Sequence, residues 1–582
     1  MNQDLELQDV FQSVIEKSMR LLKHFEHQPD QLPPLVEQWL DLSSNFLAAA
    51  SVLFNNPLLV QKMQLSWWQD AMGLLQDQLI GTLMPVSDKR FSADEWVNNP
   101  FFNMLSQQYV LAKEHTNSLL EHLDYGDKQL AKRVQFFMRQ YQDAVSPDNF
   151  IHTNPQLIAE TLQSHGKNLL TGLDNFLTDI EVDSSRLVIA MTDKNAFTVG
   201  KNVAVTPGKV IYKNSLMELI QYTPQTNKVK SVPLLIIPPW INKYYILDLS
   251  SNNSLVRWLV EQGITVFIIS WANPDEGFAN KGIADYLIDG PMAAIKAIQE
   301  QLMIKQVNTL GFCIGGTLLS MLLAYNKARQ ITSIRSATFL ASMIDFSDPG
   351  DISVFIDEKQ ILKLEKHMEE KGYLEGHCMA SAFNSLRASD LIWTFFIRNY
   401  LHGKPPVPFD ILFWNMDSTN MPAKMHSEYL RWMYLNNDLV KPGKIHINNT
   451  PLDISHIDIP TYFVSTKKDH IAPWKTTYAG FQLMQGNKRF LLGGSGHIAG
   501  IIIPPGGPKY GYYCNIDSPE NPEDWLANAT YHTGSWWPEW LSWLKKESGR
   551  LINAPVFSKL PMKSIMDAPG SYVFNRDPSL RA

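Results

Sequence analysis

Residues 307–323 read VNTLGFCIGGTLLSMLL, and this stretch decides the fold. A β-type run leads into a glycine-flanked cysteine, Cys313, and a helix-type run from Thr317 to Leu323 follows. Gly311 and Gly315, two positions before and after the cysteine, let the strand and the helix approach without Cβ clashes. The pattern is typical of a nucleophile elbow, in which a strained turn exposes a reactive side chain above a sheet.

Cys313 takes the place that serine usually holds in such a turn. The helix N-terminus below it favours the thiolate, and the backbone N–H of Ile314 points to where an oxyanion would form. A lone cysteine beside a glycine turn can also be an ordinary buried residue. The strand–turn–helix context favours the nucleophile.

Two later residues supply an acid and a base in the order that this motif requires. Asp469 follows the β-type run Tyr462–Lys468, and His497 lies in the glycine-rich loop 493–500. Each alone is compatible with an ordinary strand-end carboxylate or loop histidine. Together they predict that His497 takes the thiol proton, Asp469 orients the imidazolium, and the cysteine forms a thioester. A thiol nucleophile favours acyl transfer between thioesters over one-way hydrolysis.

The second oxyanion donor in such folds comes from the loop after an earlier strand. Here this loop is residues 238–248, which tandem prolines separate from the β-type run Pro233–Ile237. We expect the donor to be the backbone N–H of Trp240 or Ile241 and assign Ile241. The alternative is an ordinary strand-exit loop.

The chain changes character near residue 183. Apolar residues at helical spacing predict an all-helical N-terminal domain over residues 1–183. From 184 to 582, β-type runs alternate with helical ones, which predicts an α/β domain with a mostly parallel sheet. Because residues 341–460 contain no convincing parallel strand, we predict a mainly helical insertion there. The predicted strands are Leu187–Met191, Lys209–Tyr212, Met217–Tyr222, Pro233–Ile237, Thr265–Ser270, Thr309–Phe312, Ser336–Leu340, Thr461–Ser465 and Arg489–Leu492.

Composition excludes several classes of protein. With 582 residues, 45% hydrophobic and 19% charged, the chain is neither collagen-like, nor mostly disordered, nor a disulfide scaffold. A net charge of −7 without a basic stripe argues against nucleic-acid binding. Three sparse cysteines predict a reducing compartment. The N-terminus is acidic and no long apolar run is present. We therefore expect no secretory peptide and no membrane span.

The motifs resemble those of the polyhydroxyalkanoate synthases, the polyester-forming enzymes, and in particular their single-subunit class I type. The resemblance covers nearly the whole chain. The matching stretches include Asn99-Pro100-Phe101-Phe102, Pro238-Pro239-Trp240-Ile241-Asn242-Lys243-Tyr244-Tyr245, Gly311 to Gly316, Phe413-Trp414-Asn415, Asp469-His470-Ile471-Ala472-Pro473-Trp474, Ser495 to Gly500 and Gly534-Ser535-Trp536-Trp537-Pro538. The family's cysteine, aspartate and histidine correspond to Cys313, Asp469 and His497. Trp240 stands where relatives carry a smaller residue such as cysteine.

The resemblance implies an α/β-hydrolase core with a cap, the insertion about 341–460 supplying the cap. It implies polymerisation of (R)-3-hydroxyacyl-CoA, with short-chain substrates such as 3-hydroxybutyryl-CoA, into an insoluble polyester that grows from Cys313. Trp240, Trp414 and Asp417 are candidate pocket residues. The implied setting is cytoplasmic, on polyhydroxyalkanoate granules with phasin-like proteins, as a homodimer. Which base deprotonates the 3-hydroxyl, His497 or Asp469, stays open.

The helical domain carries aromatic pairs, Trp67-Trp68 and Phe101-Phe102, that suit a polymer or phasin surface or, alternatively, ordinary packing. We expect the C-terminal tryptophans Trp536, Trp537, Trp540 and Trp543 to be core residues. His367, Glu369, Glu370 and His377 lack a convincing ligand spacing, so we predict no metal, and no cofactor besides the CoA thioester substrate. The rival functions are a cysteine-triad acyl-CoA thioesterase and a granule-coat scaffold.

Overall fold

The computed structural model describes residues 9–20, 56–82, 84–182 and 187–576. The chain divides into two compact units. The first comprises the described residues up to Asp193 together with Phe383–Val407. The second comprises Lys194–Ala382 and the described residues from Pro408 onward, so the segment 341–460 contributes to both units.

The first unit is helical. Asparagine–proline pairs begin three of its helices, and in two of them the asparagine side chain caps the helix: Asn99 accepts from the N–H of Phe101, and Asn154 accepts from that of Gln156. The proline at the first helical position lacks only an N–H that would have no intrahelical partner. The helices are residues 9–20, Pro57–Ile80, Asp94–Val97, Pro100–His122, Lys128–Ala144, Pro155–Gln163 and Lys167–Val182. The segment Phe383–Val407 adds helical turns over Ser389–Trp393, Thr394–Phe396 and Ile397–Leu401.

A mixed sheet forms the centre of the second unit. Its strands are β1 (Gly208–Lys213), β2 (Met217–Tyr222), β3 (Leu234–Ile237), β4 (Val266–Trp271), β5 (Val307–Phe312), β6 (Ile334–Leu340), β7 (Thr461–Thr466), β8 (Lys488–Gly493), β9 (Tyr512–Cys514), β10 (Thr530–His532) and β11 (Met566–Asp567). Their order is β10-β9-β8-β7-β6-β5-β3-β4-β2-β1-β11. The six strands from β8 to β4 in this order are parallel, whereas the flanking strands pair antiparallel.

Helices cover this sheet, because its parallel strands are buried on both faces and need apolar partners. The helices of the second unit are Leu255–Glu261, Ile283–Leu287, Ala293–Leu302, Ile314–Ala328, Glu358–Lys371, Asp410–Asn415, Ala423–Tyr429, Trp474–Leu483, Pro522–Ala527, Trp537–Glu547 and the greater part of Gly376–Ser385, which belongs to this unit up to Ala382. Several of them lie between β6 and β7, where short two-stranded pairings also occur. Trp536, Trp537, Trp540 and Trp543 are buried as core residues, as predicted.

The predicted strand Leu187–Met191 is wrong. Its backbone bonds to side chains instead of a neighbouring strand: the Ala190 N–H donates to Asp179, and its carbonyl accepts from Asn399. The sequence also misses β9, β10 and β11, because strands of two or three residues at a sheet edge carry little alternation. No helix among the described ranges is long and apolar enough to cross a bilayer.

Candidate active site

Cys313 lies in the turn between β5 and the helix Ile314–Ala328, with φ 53° and ψ −124°. A positive φ is costly for a residue with a side chain and persists only where the surroundings enforce it. The flanking glycines allow this turn. A Cβ on Gly311 would lie 2.4 Å from Cα of Gly316, and one on Gly315 would lie 2.2 Å from the Ile237 carbonyl oxygen. The predicted strand, turn and helix are therefore present.

Asp469 and His497 meet at the carboxyl ends of neighbouring parallel strands. Asp469 follows β7, and His497 follows β8. Nδ1 of His497 lies 2.8 Å from Oδ2 of Asp469, with both side chains buried. Oδ1 of Asp469 accepts from the N–H groups of Ile471 and Ala472 at 2.9 and 2.8 Å. The carboxylate is thereby fixed in one orientation.

The imidazole of His497 also faces Cys313. Burial alone would lower the pKa of His497, but the charges of Asp469 and Cys313 and hydrogen bonds with both raise it well above its usual range. The ring stacks on Phe312, with centroids 5.7 Å apart. Because Nδ1 is engaged by Asp469, Nε2 is the nitrogen left for the thiol. The three predicted residues are thus brought together in an order that allows proton transfer from sulfur to imidazole.

Two tyrosines near Cys313 were not singled out from the sequence. The rings of Tyr429 and Tyr434 pack edge to face, with centroids 5.6 Å apart. Burial raises the pKa of both phenols, and the nearby Cys313 adds to the effect. Both lie in the predicted insertion, which is rich in aromatic residues. Its sequence therefore gives no sign of which aromatic residues lie beside Cys313 and which are ordinary core residues.

The loop 238–248 is held by residues from the segment between β6 and β7. The Thr419 N–H donates to the Ile241 carbonyl at 2.8 Å, and the Thr419 hydroxyl donates to the Trp240 carbonyl. The Trp414 indole N–H donates to the Lys243 carbonyl at 2.6 Å. The N–H of Ile314 is at the first position of its helix and therefore has no acceptor within that helix. The assignment of oxyanion donors to Ile314 and Ile241 stays a prediction.

The three predicted pocket residues are all buried. Trp240 packs against Tyr286 and Trp271, with ring centroids 4.9 and 5.7 Å away. Trp414 braces the loop as described. Asp417 accepts from the Tyr245 hydroxyl at 2.8 Å, and burial raises the pKa of its carboxyl. In these positions the three side chains support the loop 238–248 and the elements around it.

Lys243 anchors the same loop to the end of the described chain. Its ammonium donates to the carbonyls of Asn575 at 2.7 Å and Tyr572 at 3.4 Å. Burial lowers the pKa of Lys243 to about 8. Nε of Arg576 lies 3.2 Å from Oδ2 of Asp417. The contacts of Lys243 join residues more than three hundred positions apart, and no local sequence signal points to them.

The other two cysteines lie elsewhere. Burial raises the pKa of Cys514 to about 12, which makes it unreactive at neutral pH. Cys378 lies in one group with His367 and Glu375, whose ligand atoms are all within 4.8 Å of one another. In the sequence, His367 stands near Glu369, Glu370 and His377, and this neighbourhood does not reveal its grouping with Glu375 and Cys378.

Comparison with known proteins gives two family matches. Residues 87–259 match the family described as poly-beta-hydroxybutyrate polymerase (PhaC) N-terminus. Residues 232–502 match the alpha/beta hydrolase fold, which confirms the predicted α/β-hydrolase core.

Three curated relatives cover most of the chain. A poly(3-hydroxyalkanoate) polymerase of Methylorubrum extorquens is 45% identical over 490 residues, 84% of this chain and 81% of the relative. The poly(3-hydroxyalkanoate) polymerase subunit PhaC of Cupriavidus necator is 41% identical, over 84% of this chain and 83% of the relative. Poly(3-hydroxyalkanoate) polymerase 2 of Ectopseudomonas oleovorans is 37% identical, over 84% and 87%.

Proposed function

Because this chain belongs to the poly(3-hydroxyalkanoate) polymerase family, we propose that it polymerises (R)-3-hydroxyacyl-CoA into polyhydroxyalkanoate and releases CoA. Short-chain substrates such as 3-hydroxybutyryl-CoA are the proposed preference. The CoA thioester is the substrate of this reaction, and we propose that the reaction needs no cofactor.

Cys313 is the proposed nucleophile. His497 takes the thiol proton, and the sulfur attacks the carbonyl carbon of the incoming thioester. The bond from carbonyl carbon to CoA sulfur then breaks, and the imidazolium returns the proton to the departing CoA thiolate. The acyl group is left as a thioester on Cys313. Since one thioester replaces another, the step is nearly thermoneutral and reversible.

Chain growth needs a second acyl transfer. The 3-hydroxyl of one acyl unit loses its proton to His497, or to His497 assisted by Asp469, and its oxygen attacks the carbonyl of the other thioester. An ester bond forms, and a thiol is released with the proton. The N–H groups of Ile314 and of Ile241 or Trp240 are the proposed donors to the negative oxygen that develops in each step.

One observation carries this proposal: a buried His497–Asp469 pair beside a cysteine that a strained turn holds at the start of a helix. Placing a thiol, a base and an oriented carboxylate together is what covalent acyl transfer requires. The family assignment then supplies the class of acyl donor.

The test is to supply purified protein with (R)-3-hydroxybutyryl-CoA and to measure free thiol together with the product. Thiol release with turbid, solvent-extractable polyester is expected. Thiol release with soluble 3-hydroxybutyrate would instead identify a thioesterase. If no thiol is released, the proposed activity is absent and the rival scaffold function is favoured. Cys313→Ala should lose thiol release while its circular dichroism spectrum is unchanged; retained turnover would overturn the nucleophile assignment.

We further propose that the protein works in the cytoplasm at the granule surface, as a homodimer and beside phasin-like proteins. In the first unit, Trp68 and Phe101 are 55% and 65% exposed, which supports an apolar contact surface. Sedimentation of purified protein tests the dimer. Flotation with isolated granules, compared between the natural chain and Trp68→Ser, tests the surface.

A further inference from the structure

A second group of chemically reactive side chains lies apart from the proposed triad. It comprises His367 on the helix Glu358–Lys371, Glu375 just after that helix, and Cys378 in the next helix, Gly376–Ser385. We call these three residues the His-Glu-Cys cluster. Their ligand atoms, one imidazole nitrogen, one carboxylate oxygen and one sulfur, all lie within 4.8 Å of one another.

This donor set is selective for a class of ion. Imidazole nitrogen and thiolate sulfur suit zinc and similar transition metals, whereas magnesium and calcium take oxygen ligands. Zinc bonds of roughly 2.0–2.3 Å in a tetrahedron place neighbouring ligands roughly 3.5 Å apart. Nε2 of His367 and Oε2 of Glu375 lie 2.9 Å apart, so these two atoms would need to separate by roughly 0.6 Å to reach this spacing. The sulfur lies within 4.8 Å of the other two ligand atoms, so it would need to move by at most about 1.3 Å, which a side-chain rotation supplies.

The cluster already binds a positive charge. The Lys371 ammonium forms an ion pair with Glu375, and Lys371 also lies near Cys378. Oε1 of Glu375 accepts from this ammonium, and Oε2 lies 2.9 Å from Nε2 of His367, so the two carboxylate oxygens face Lys371 and His367. The side chains of Lys371 and His367 are 51% and 45% exposed, so the ammonium can turn into solvent and an ion can enter.

We propose that the His-Glu-Cys cluster is a zinc site, with His367, Glu375 and Cys378 as ligands, a water molecule in the fourth position, and Lys371 as the competing cation. This site is independent of the proposed acyl transfer. It replaces the expectation from sequence that the chain holds no metal.

The first experiment uses Co²⁺ as a coloured probe for the zinc site in the purified, metal-free full-length protein. A thiolate ligand gives cobalt an intense sulfur-to-metal charge-transfer absorption in the near ultraviolet. We expect this band to saturate at one cobalt per chain and to disappear on addition of one equivalent of Zn²⁺. A natural chain without the band would overturn the proposal.

Cysteine variants identify the sulfur. Cys378→Ser should lose the band and bind cobalt at least tenfold more weakly, whereas Cys514→Ser and Cys313→Ser should keep it. The Cys313 control is needed because the proposed triad also contains a thiol, an imidazole and a carboxylate. A band lost in Cys313→Ser and kept in Cys378→Ser would assign the metal to that triad and overturn the proposal.

A variant with the opposite effect guards against misfolding. Lys371→Met removes the competing ammonium and keeps an unbranched side chain of similar length, so cobalt affinity should rise about tenfold. Lys363→Met, an exposed lysine on the same helix, is the matched control and should leave the affinity unchanged. Equal affinities in the natural chain and Lys371→Met would contradict a site shared by zinc and this lysine.

Discussion

Nδ1 of His497 lies 2.8 Å from Oδ2 of Asp469, and the two side chains are 5% and 0% exposed. The same carboxylate accepts two backbone N–H groups through its other oxygen. The imidazole therefore has one orientation and one nitrogen available to Cys313. Two predictions about Asp469 follow from this geometry.

Asp469→Asn should lower kcat for CoA release by roughly 10³–10⁴-fold, because an amide can hold the imidazole in the wrong tautomer and does not stabilise the imidazolium. Free thiol release from 3-hydroxybutyryl-CoA measures the effect. Asp458→Asn is the matched control, since Asp458 forms a surface ion pair with Lys327 and its loss should leave kcat unchanged. A drop of less than tenfold in Asp469→Asn would contradict the proposed role.

The same variant should change how stability depends on pH. The pKa of His497 is raised in the folded chain, mainly by Asp469. A raised histidine pKa stabilises the fold fully below the unfolded value of about 6.5, and the contribution is lost as pH rises through the folded value. The loss of unfolding free energy in Asp469→Asn should therefore be largest near pH 6 and decrease at higher pH. Urea unfolding at several pH values measures it, and a difference that grows with pH would contradict the prediction.

Gly315→Ala should destabilise the second unit by roughly 2–4 kcal/mol, because its Cβ would lie 2.2 Å from the backbone oxygen of Ile237 and neither backbone can yield cheaply. Gly73→Ala is the matched control. Gly73 lies in the helix Pro57–Ile80 with nothing within 4 Å of an added Cβ, so alanine should stabilise that helix by about 1 kcal/mol. Chemical unfolding measures the change in the free energy of unfolding of each variant. If Gly315→Ala leaves this free energy unchanged, the prediction is wrong and the turn relaxes around the added Cβ.

Thr419→Val should lower kcat by about tenfold, or about 1.4 kcal/mol, with little change in KM. The substitution removes the hydroxyl that bonds to the Trp240 carbonyl and so loosens the loop proposed to carry an oxyanion donor. Thr309→Val, which loses a buried hydroxyl bond to Ser336 inside the sheet, should cost stability and leave kcat unchanged. If KM rises in Thr419→Val while kcat is constant, the loop affects binding and not the reaction.

The sequence predicted the parts of the fold whose signals are local. A strand, two glycines and a helix within seventeen residues identify the turn at Cys313, and buried parallel strands are long apolar runs. These predictions are confirmed by β5 and its neighbours. The short strands β9 to β11 were missed because their pairing depends on partners, not on their own residues.

The arrangement around the site depended more on contacts distant in sequence. Asp469 and His497 could be found because each follows a recognisable strand. Lys243 could not be found, since its partners Tyr572 and Asn575 offer backbone carbonyls, which every residue has. The group of His367, Glu375 and Cys378 escaped for a related reason: a helix end and a sharp turn at Gly372 determine its spacing.

The contact of Lys243 with the carbonyls of Tyr572 and Asn575 bears on the timing of activity during synthesis. The loop 238–248 is synthesised more than three hundred residues before the carbonyls that anchor it. Domains fold as their residues emerge, so an unfinished chain can hold the cysteine turn while Lys243 has no acceptor. We therefore expect polymer growth to begin only after Tyr572 and Asn575 have been synthesised and can accept from Lys243.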